Sequence, residues 1–311
     1  MSNNTMQVIR VHDYGGPEVL QLEQAPIPQP QAGQVLVRIF ASGVNPADWK
    51  ARAGMYKAFR PLTFPWTPGL EAAGTVEALG EGVSSFHVGQ AVYGPMSGSY
   101  AEYTLAQAGD LQPRPENLTF QEAAAVPLGA LTAWGAVIDG AKVQPGWRVL
   151  VHGAAGGVGL FAVQLARWKG AHVIGTASNR NLEFVRSLGA EQVVDYNAVH
   201  FEDAIVHDLD AVIDTVGGDL PQRSMKVLRR DGVFVTVAAQ VTPEMGAPYG
   251  VLVVRGGRTV IENQIQINDL LAAKKIWPVV GAVFPLAQAR QAHELSQTGH
   301  GRGRIVLYVA G

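Results

Sequence analysis

Cysteine is missing from all 311 residues. With it go disulfides, thiolate nucleophiles, iron–sulfur clusters and every zinc site that needs a thiolate. Charge is sparse: 16% of residues are charged, and 24 Lys and Arg stand against 26 Asp and Glu. A net charge of −2 supplies no broad basic field for a phosphate backbone, so no nucleic-acid partner is expected. Long apolar runs are lacking too. The most apolar stretch, 149–168, is interrupted by glycines, His152 and Arg167 and reads poorly as a membrane span. Residues 1–11 have neither a basic head nor an apolar run of roughly 7 to 15 residues, so no secretory signal is indicated and a soluble, cytoplasmic protein with no membrane partner is expected.

Apolar residues, at 47%, are plentiful enough for large cores, and the chain exceeds the length at which one core usually stops growing, about 250 to 300 residues. Two domains are expected. Up to about residue 120 the chain shows short extended runs such as 35–41 (VLVRIFA), separated by Pro and Gly clusters, which reads as mostly β. From Trp147 strand-like and helical runs alternate: RVLVHG, VGLFAVQLARWKG, AHVIGTAS, NLEFVRSLG, AVIDTVGG, DLPQRSMKVLRR, GVFVTVAA. That alternation predicts βαβ units and a doubly wound parallel sheet of Rossmann type, giving an α/β fold. The helical segments 264–275 and 285–296 and a closing strand at 304–309 read as chain returning to the first domain. The predicted division is 1–127 completed by 265–311, with 128–264 inserted.

The segment 147–165 (WRVLVHGAAGGVGLFAVQL) places an apolar strand before a glycine-dense turn and an amphipathic helix, the context a dinucleotide fingerprint requires. In Gly153, Ala154, Ala155, Gly156, Gly157, Val158 and Gly159 the spacing is G-x-x-G-x-x-G. Gly153 permits the tight turn, Gly156 lets backbone approach a pyrophosphate, and Gly159 lets helix and strand pack closely. A plain strand-to-helix connection needs fewer glycines. An NAD-binding chain usually carries Asp or Glu about 20 residues further on, to hold the ribose 2′-hydroxyl. Residues 175–181 (GTASNRN) have no carboxylate, and Ser178 with Arg180 offers a hydroxyl and a cation suited to a 2′-phosphate, so NADPH is the expected cofactor. His152, inside the strand before the turn, reads as a satisfied core or cleft histidine.

Many ordered segments resemble the medium-chain dehydrogenase/reductase superfamily, and within it the zinc-free quinone oxidoreductase branch. They include GVNPAD (43–48), PGLEAAG (68–74), GSYAEY (98–103), AAAVP (123–127), LTAW (131–134), GAAGGVG (153–159), Asp195–Tyr196 and GRGRIVL (301–307). The resemblance implies a GroES-like β domain built from both chain ends, a Rossmann middle domain and an active site in the cleft between them. Zinc-dependent relatives place Cys after the Gly-Val pair and His after the Pro-Gly pair, with a further Cys near the start of the middle domain. Here those places hold Asn45, Leu70 and no cysteine. No catalytic metal is expected, and hydrogen-bond donors must take over the Lewis acid's part. The resemblance further implies Asn45 near substrate and nicotinamide, Tyr56 at the pocket wall, Thr132 near the nicotinamide amide, and Tyr196 beside Ser178 and Arg180. Asp48 and Lys50, nearest the Asn45 turn in sequence, read as solvated surface charges, and no proton donor is evident.

The expected activity is hydride transfer from NADPH to a small quinone or other conjugated carbonyl, by a chain acting as a homodimer. Reduction of the double bond of a 2-alkenal or enone shares every motif. An NADPH-binding protein without turnover is the alternative from another class.

Overall fold

The computed structural model describes residues 4–256 and 260–309. The ends of the expected first domain, Met1 and Gly311, lie outside the described residues. The chain forms two compact units, Met1–Leu128 with Pro278–Gly311, and Gly129–Trp277.

In the first unit β1 (Thr5–Arg10) and β2 (Gln21–Pro26) make an antiparallel pair. A larger sheet holds β3 (Gln34–Val44), β4 (Glu71–Leu79), β5 (Ala91–Pro95), β6 (Tyr103–Gln107) and β7 (Gln112–Pro113). Val35, Val37 and Ile39 recur with the strand period of two and are buried among Val76, Val92, Tyr100 and Leu307. Helix α1 (Pro46–Arg52) follows β3 directly, with proline at its first position, where a missing N–H costs nothing. Helix α2 (Phe120–Ala124) opens on a capping box: Glu122 N–H donates to Thr119 Oγ1 at 3.2 Å, and Thr119 N–H donates to Glu122 Oε2 at 2.8 Å.

The second unit carries most of α3 (Pro127–Trp134), then β8 (Arg148–His152), α4 (Gly159–Trp168), β9 (His172–Ala177), α5 (Leu182–Ser187), β10 (Gln192–Asp195) and α6 (Phe201–Ala204). There follow β11 (Leu209–Asp214), α7 (Leu220–Met225), β12 (Leu228–Thr236), β13 (Leu252–Arg255) and α8 (Asn263–Ala272). Its strands run parallel in the order β10-β9-β8-β11-β12-β13. This is the doubly wound Rossmann order, and its direction reverses between β8 and β11. Because helices cover both faces, strand residues such as Val149, Leu150, Val151, Val212 and Ile213 are all buried rather than alternately so.

Helix α4 departs from the amphipathic expectation, for every residue from Gly159 to Ala166 is buried. The polar member, Gln164, satisfies its amide internally: it donates to the Leu160 and Trp277 carbonyls at 3.0 Å and accepts from Trp277 N–H at 2.9 Å.

The tail also departs from expectation. Helix α8, placed by sequence in the returning segment, belongs to the second unit, where Ile267 and Leu271 are buried; the chain re-enters the first unit only at Pro278. There β14 (Val280–Pro285), α9 (Ala289–Gln297) and β15 (Arg304–Tyr308) complete the sheet as β14-β15-β3-β4-β5-β7, with β6 also on β3. Among the described residues no helix is long and apolar enough to cross a membrane.

Candidate active and cofactor site

The glycine turn sits at the carboxyl end of β8, where the sheet order reverses and α/β proteins commonly hold their ligands. Gly153 has φ +67°, which a side chain resists, and a Cβ there would stand 2.6 Å from Thr215 Oγ1 on the loop after β11. Gly159 is packed on the turn itself: an added Cβ would lie 2.9 Å from the Ala154 Cα. A Cβ on Gly156, by contrast, would meet only the Gly153 carbonyl oxygen, at 3.2 Å. Ala154 and Ala155 are buried, and Val158 immediately precedes α4.

Ala154 N–H donates to the Thr176 carbonyl of β9 at 3.1 Å, Gly156 N–H to the Gly153 carbonyl at 2.9 Å and Leu160 N–H to the Gly156 carbonyl at 3.0 Å, while the amides of Gly157 and Val158 have no acceptor among the described residues. The open space that a Cβ on Gly156 would enter, with two spare N–H groups just ahead of a helix, fits a pyrophosphate. Helix α3 lies against the turn, since a Cβ on Gly129 would be 2.7 Å from the Gly157 carbonyl oxygen. Thr132, half-buried and three residues on, shares that helix face.

At the carboxyl end of β9, Tyr196 N–H donates to the Ala177 carbonyl at 3.2 Å, which sets Tyr196 beside Ser178. Ser178 Oγ accepts from Asn181 Nδ2 at 3.2 Å, while Arg180 and Tyr196 are exposed. Asp195, which ends β10, turns its carboxylate onto the Asn197 amide, accepting from that N–H at 3.0 Å. His152 is buried between Thr176 Oγ1 at 3.2 Å and Ser224 Oγ at 3.0 Å, and burial lowers its pKa to about 4. It is a neutral core residue.

In the first unit Asn45 lies between β3 and α1, as the residue before the helix, and is buried. Its Nδ2 donates to Glu71 Oε1 at 2.8 Å and its Oδ1 accepts from Arg304 Nη2 at 2.8 Å. Glu71 and Arg304 form an ion pair with each other, and Glu71 Oε2 accepts from Leu128 N–H at 2.7 Å. Sequence reasoning missed both partners, although each lies inside a segment that carries the family resemblance.

Leu70, where zinc-dependent relatives place a histidine, lines a cavity of about 390 Å³ together with Pro95, Met96, Leu105, Leu128 and Asp110. Tyr56 lies in the turn after α1, half-buried, its ring tilted against Phe59 at 5.6 Å.

Asp48 corrects the sequence reading, for it is not a solvated surface charge but 1% exposed. Its Oδ2 accepts from Asn45 N–H at 2.8 Å and Tyr100 Oη at 3.3 Å, and its Oδ1 from Gly69 N–H at 3.3 Å. Burial, reinforced by Glu71, raises its pKa to about 7 against those donors. Tyr100 Oη also meets Nε2 of His293 at 3.2 Å, and burial with Arg52 nearby lowers the His293 pKa to about 3. Lys50 lies over the Trp49 ring at 5.5 Å.

A pH profile follows from these groups. Asp48 holds a proton that the unfolded chain has lost, so its contribution is present below pH 3.8 and lost as pH rises through about 7. His152 and His293 stay neutral when folded, so theirs is present above pH 6.5 and lost as pH falls towards about 4 and about 3. These three groups place maximum stability near pH 6.5. In Asp48→Asn the acid limb should steepen and the decline between pH 6.5 and 7 should vanish, as urea unfolding across pH would show; slopes identical to the parent's would refute the assignment.

A parallel sheet with a glycine turn at its switch point, carried by a chain whose other unit is β-rich, defines an oxidoreductase that uses a nicotinamide cofactor. A family model described as alcohol dehydrogenase GroES-like domain matches residues 31–116, and one described as zinc-binding dehydrogenase matches residues 188–307. The quinone oxidoreductase of Mus musculus is 36% identical over 324 residues, covering 97% of each chain. An NADPH-dependent alkenal/one oxidoreductase of Arabidopsis thaliana is 34% identical, over 95% of this chain and 78% of that protein. The solved quinone oxidoreductase of Coxiella burnetii superposes with a TM-score of 0.90 at 35% identity, over 98% of this chain and 100% of that one. The chain belongs to the medium-chain dehydrogenase/reductase superfamily, in its quinone oxidoreductase branch.

Proposed function

We propose that this chain is a zinc-independent, NADPH-dependent reductase of a quinone or other small conjugated carbonyl compound. The observation that carries this reading is Asn45, a buried amide with two fixed hydrogen bonds and a second Nδ2 proton to spare, at a position where zinc-dependent relatives hold a metal ligand. Leu70 at the other ligand position and the Arg304 guanidinium against Asn45 both disfavour a cation there.

The bound dinucleotide supplies the hydride. The chain's part is to hold the diphosphate on the amides of 157–158, to hold the 2′-phosphate on Ser178, Arg180 and Tyr196, and to place Thr132 at the carboxamide. Hydride added to the β-carbon of an enone drives the π electrons onto the carbonyl oxygen, where the spare Nδ2 proton of Asn45 meets the developing charge. Solvent then protonates the α-carbon. In a quinone the hydride and one proton give the hydroquinone. Delocalisation of the charge suits a site whose donor is an amide rather than a metal. The Arabidopsis relative's name supports alkenal reduction as a second reading of the same site.

NADPH absorbance followed with 1,4-benzoquinone, 2-hexenal and cyclohexanone, each with and without a chelator, tests the reading. Turnover of the first or second, untouched by chelation, is expected. Turnover of none of them would favour a binding protein, and chelator-sensitive ketone reduction would overturn zinc independence. In the same assay NADPH should be preferred to NADH, and Arg180→Ala should erode that preference by about 10- to 150-fold, corresponding to about 1.5–3 kcal/mol for a charge-assisted contact. Equal affinity for both cofactors in the parent protein would rule out the 2′-phosphate site.

A further inference from the structure

We propose that Glu71 and Arg304 are positioning residues that lock the side-chain amide of Asn45 in its single donating orientation, an inference that rests on Asn45 being the donor to the substrate oxygen.

The three residues meet because their strands are neighbours. Asn45 follows the last residue of β3, Glu71 opens β4 and Arg304 opens β15, and β3 lies between the other two. Close approach is built in: a Cβ on Gly43 would stand 2.7 Å from Glu71 Cγ and Cδ. All three residues are buried, Glu71 completely.

The chemistry of the partners fixes the amide plane. An ionised carboxylate can only accept and a guanidinium can only donate, so Nδ2 must face Glu71 and Oδ1 must face Arg304. The reversed amide would set oxygen against carboxylate and N–H against guanidinium. With one Nδ2 proton committed to Glu71 and the carbonyl oxygen committed to Arg304, the remaining Nδ2 proton is the amide's free donor. Arg304 at Oδ1 also draws electron density from the nitrogen, which strengthens that donor. Glu71 is itself anchored by the Leu128 amide at 2.7 Å, and the ion pair keeps each buried charge compensated.

The test is a double-mutant cycle on NADPH-dependent reduction of 2-hexenal or 1,4-benzoquinone, whichever the parent protein turns over. Glu71→Gln/Arg304→Met removes both charges at nearly constant volume and should lower kcat about 10- to 100-fold, the scale expected of a misplaced group, with the KM for NADPH unchanged. In an Asn45→Ala background the same pair of changes should have no further effect on kcat. A merely structural contribution would lower kcat equally in both backgrounds, and that result would overturn the inference. If Asn45→Ala alone leaves kcat unchanged, the donor reading itself fails. If Asn45→Ala lowers kcat while the double change does not, the donor reading stands and the positioning pair falls. Should the double variant not fold, Arg304→Lys decides through the same cycle. It keeps the ion pair but replaces the planar fork with a point donor, and should lower kcat only where Asn45 is present.

Discussion

Gly156→Val should leave a folded protein that binds NADPH at least about 100-fold more weakly, whereas the smaller change Gly159→Ala should disrupt the turn itself. The two glycines lie three residues apart and their surroundings are opposite. A side chain on Gly156 would meet one carbonyl oxygen at 3.2 Å and otherwise project into the open space proposed for the diphosphate. A methyl on Gly159 would lie 2.8 Å from the Gly153 carbonyl carbon and 2.9 Å from the Ala154 Cα, and backbone cannot rotate aside. Overpacking of this kind costs about 1–3 kcal/mol and more where no side chain can yield. Cofactor fluorescence titration and circular dichroism on both variants check this. A folded Gly156→Val with undiminished affinity would show that the turn does not cradle the phosphates.

Asp214→Ala should be among the most destabilising single changes in the second unit, by about 3–5 kcal/mol. The carboxylate is fully buried at the carboxyl end of β11. Its Oδ1 accepts from the amides of Val216 and Gly217, both at 2.9 Å, and its Oδ2 from Thr236 Oγ1 at 2.8 Å. Removing it strands the buried Gly217 amide and Thr236 hydroxyl, each worth about 1–3 kcal/mol when left unpaired, and frees the amide of the exposed Val216, with sub-additive coupling inside one network. The loop it holds includes Thr215, whose Oγ1 donates to the His152 carbonyl at 2.8 Å beside Gly153. NADPH affinity should therefore fall along with stability, and added NADPH should recover less stability than in the parent protein. Chemical denaturation with and without NADPH would reveal a loss below about 1 kcal/mol, which would sink the assignment of Asp214 as the buttress of this turn.

The sequence by itself determined the αβ alternation, the parallel sheet and the glycine turn, because each rests on local rules: strand and helix periods, and the glycines a phosphate turn requires. It also determined that no carboxylate follows β9 within 175–181 and that no cysteine ligand exists. Four things were left to tertiary structure. The chain stays in the second unit through α8, because Ile267 and Leu271 find their core there and the helix's own periodicity does not say which core it joins. Asp48 is buried, although its neighbours in sequence are those of a surface turn, since two of the three donors that hold it, at Gly69 and Tyr100, come from residues distant in the chain. Asp214 became a buttress only when β12 brought Thr236 alongside it. Most of all, the Asn45–Glu71–Arg304 cluster spans residues 259 positions apart in sequence. Hydrogen-bond partners of that separation are set by strand order, and only the pairing of β15, β3 and β4 brought these three side chains within reach of one another.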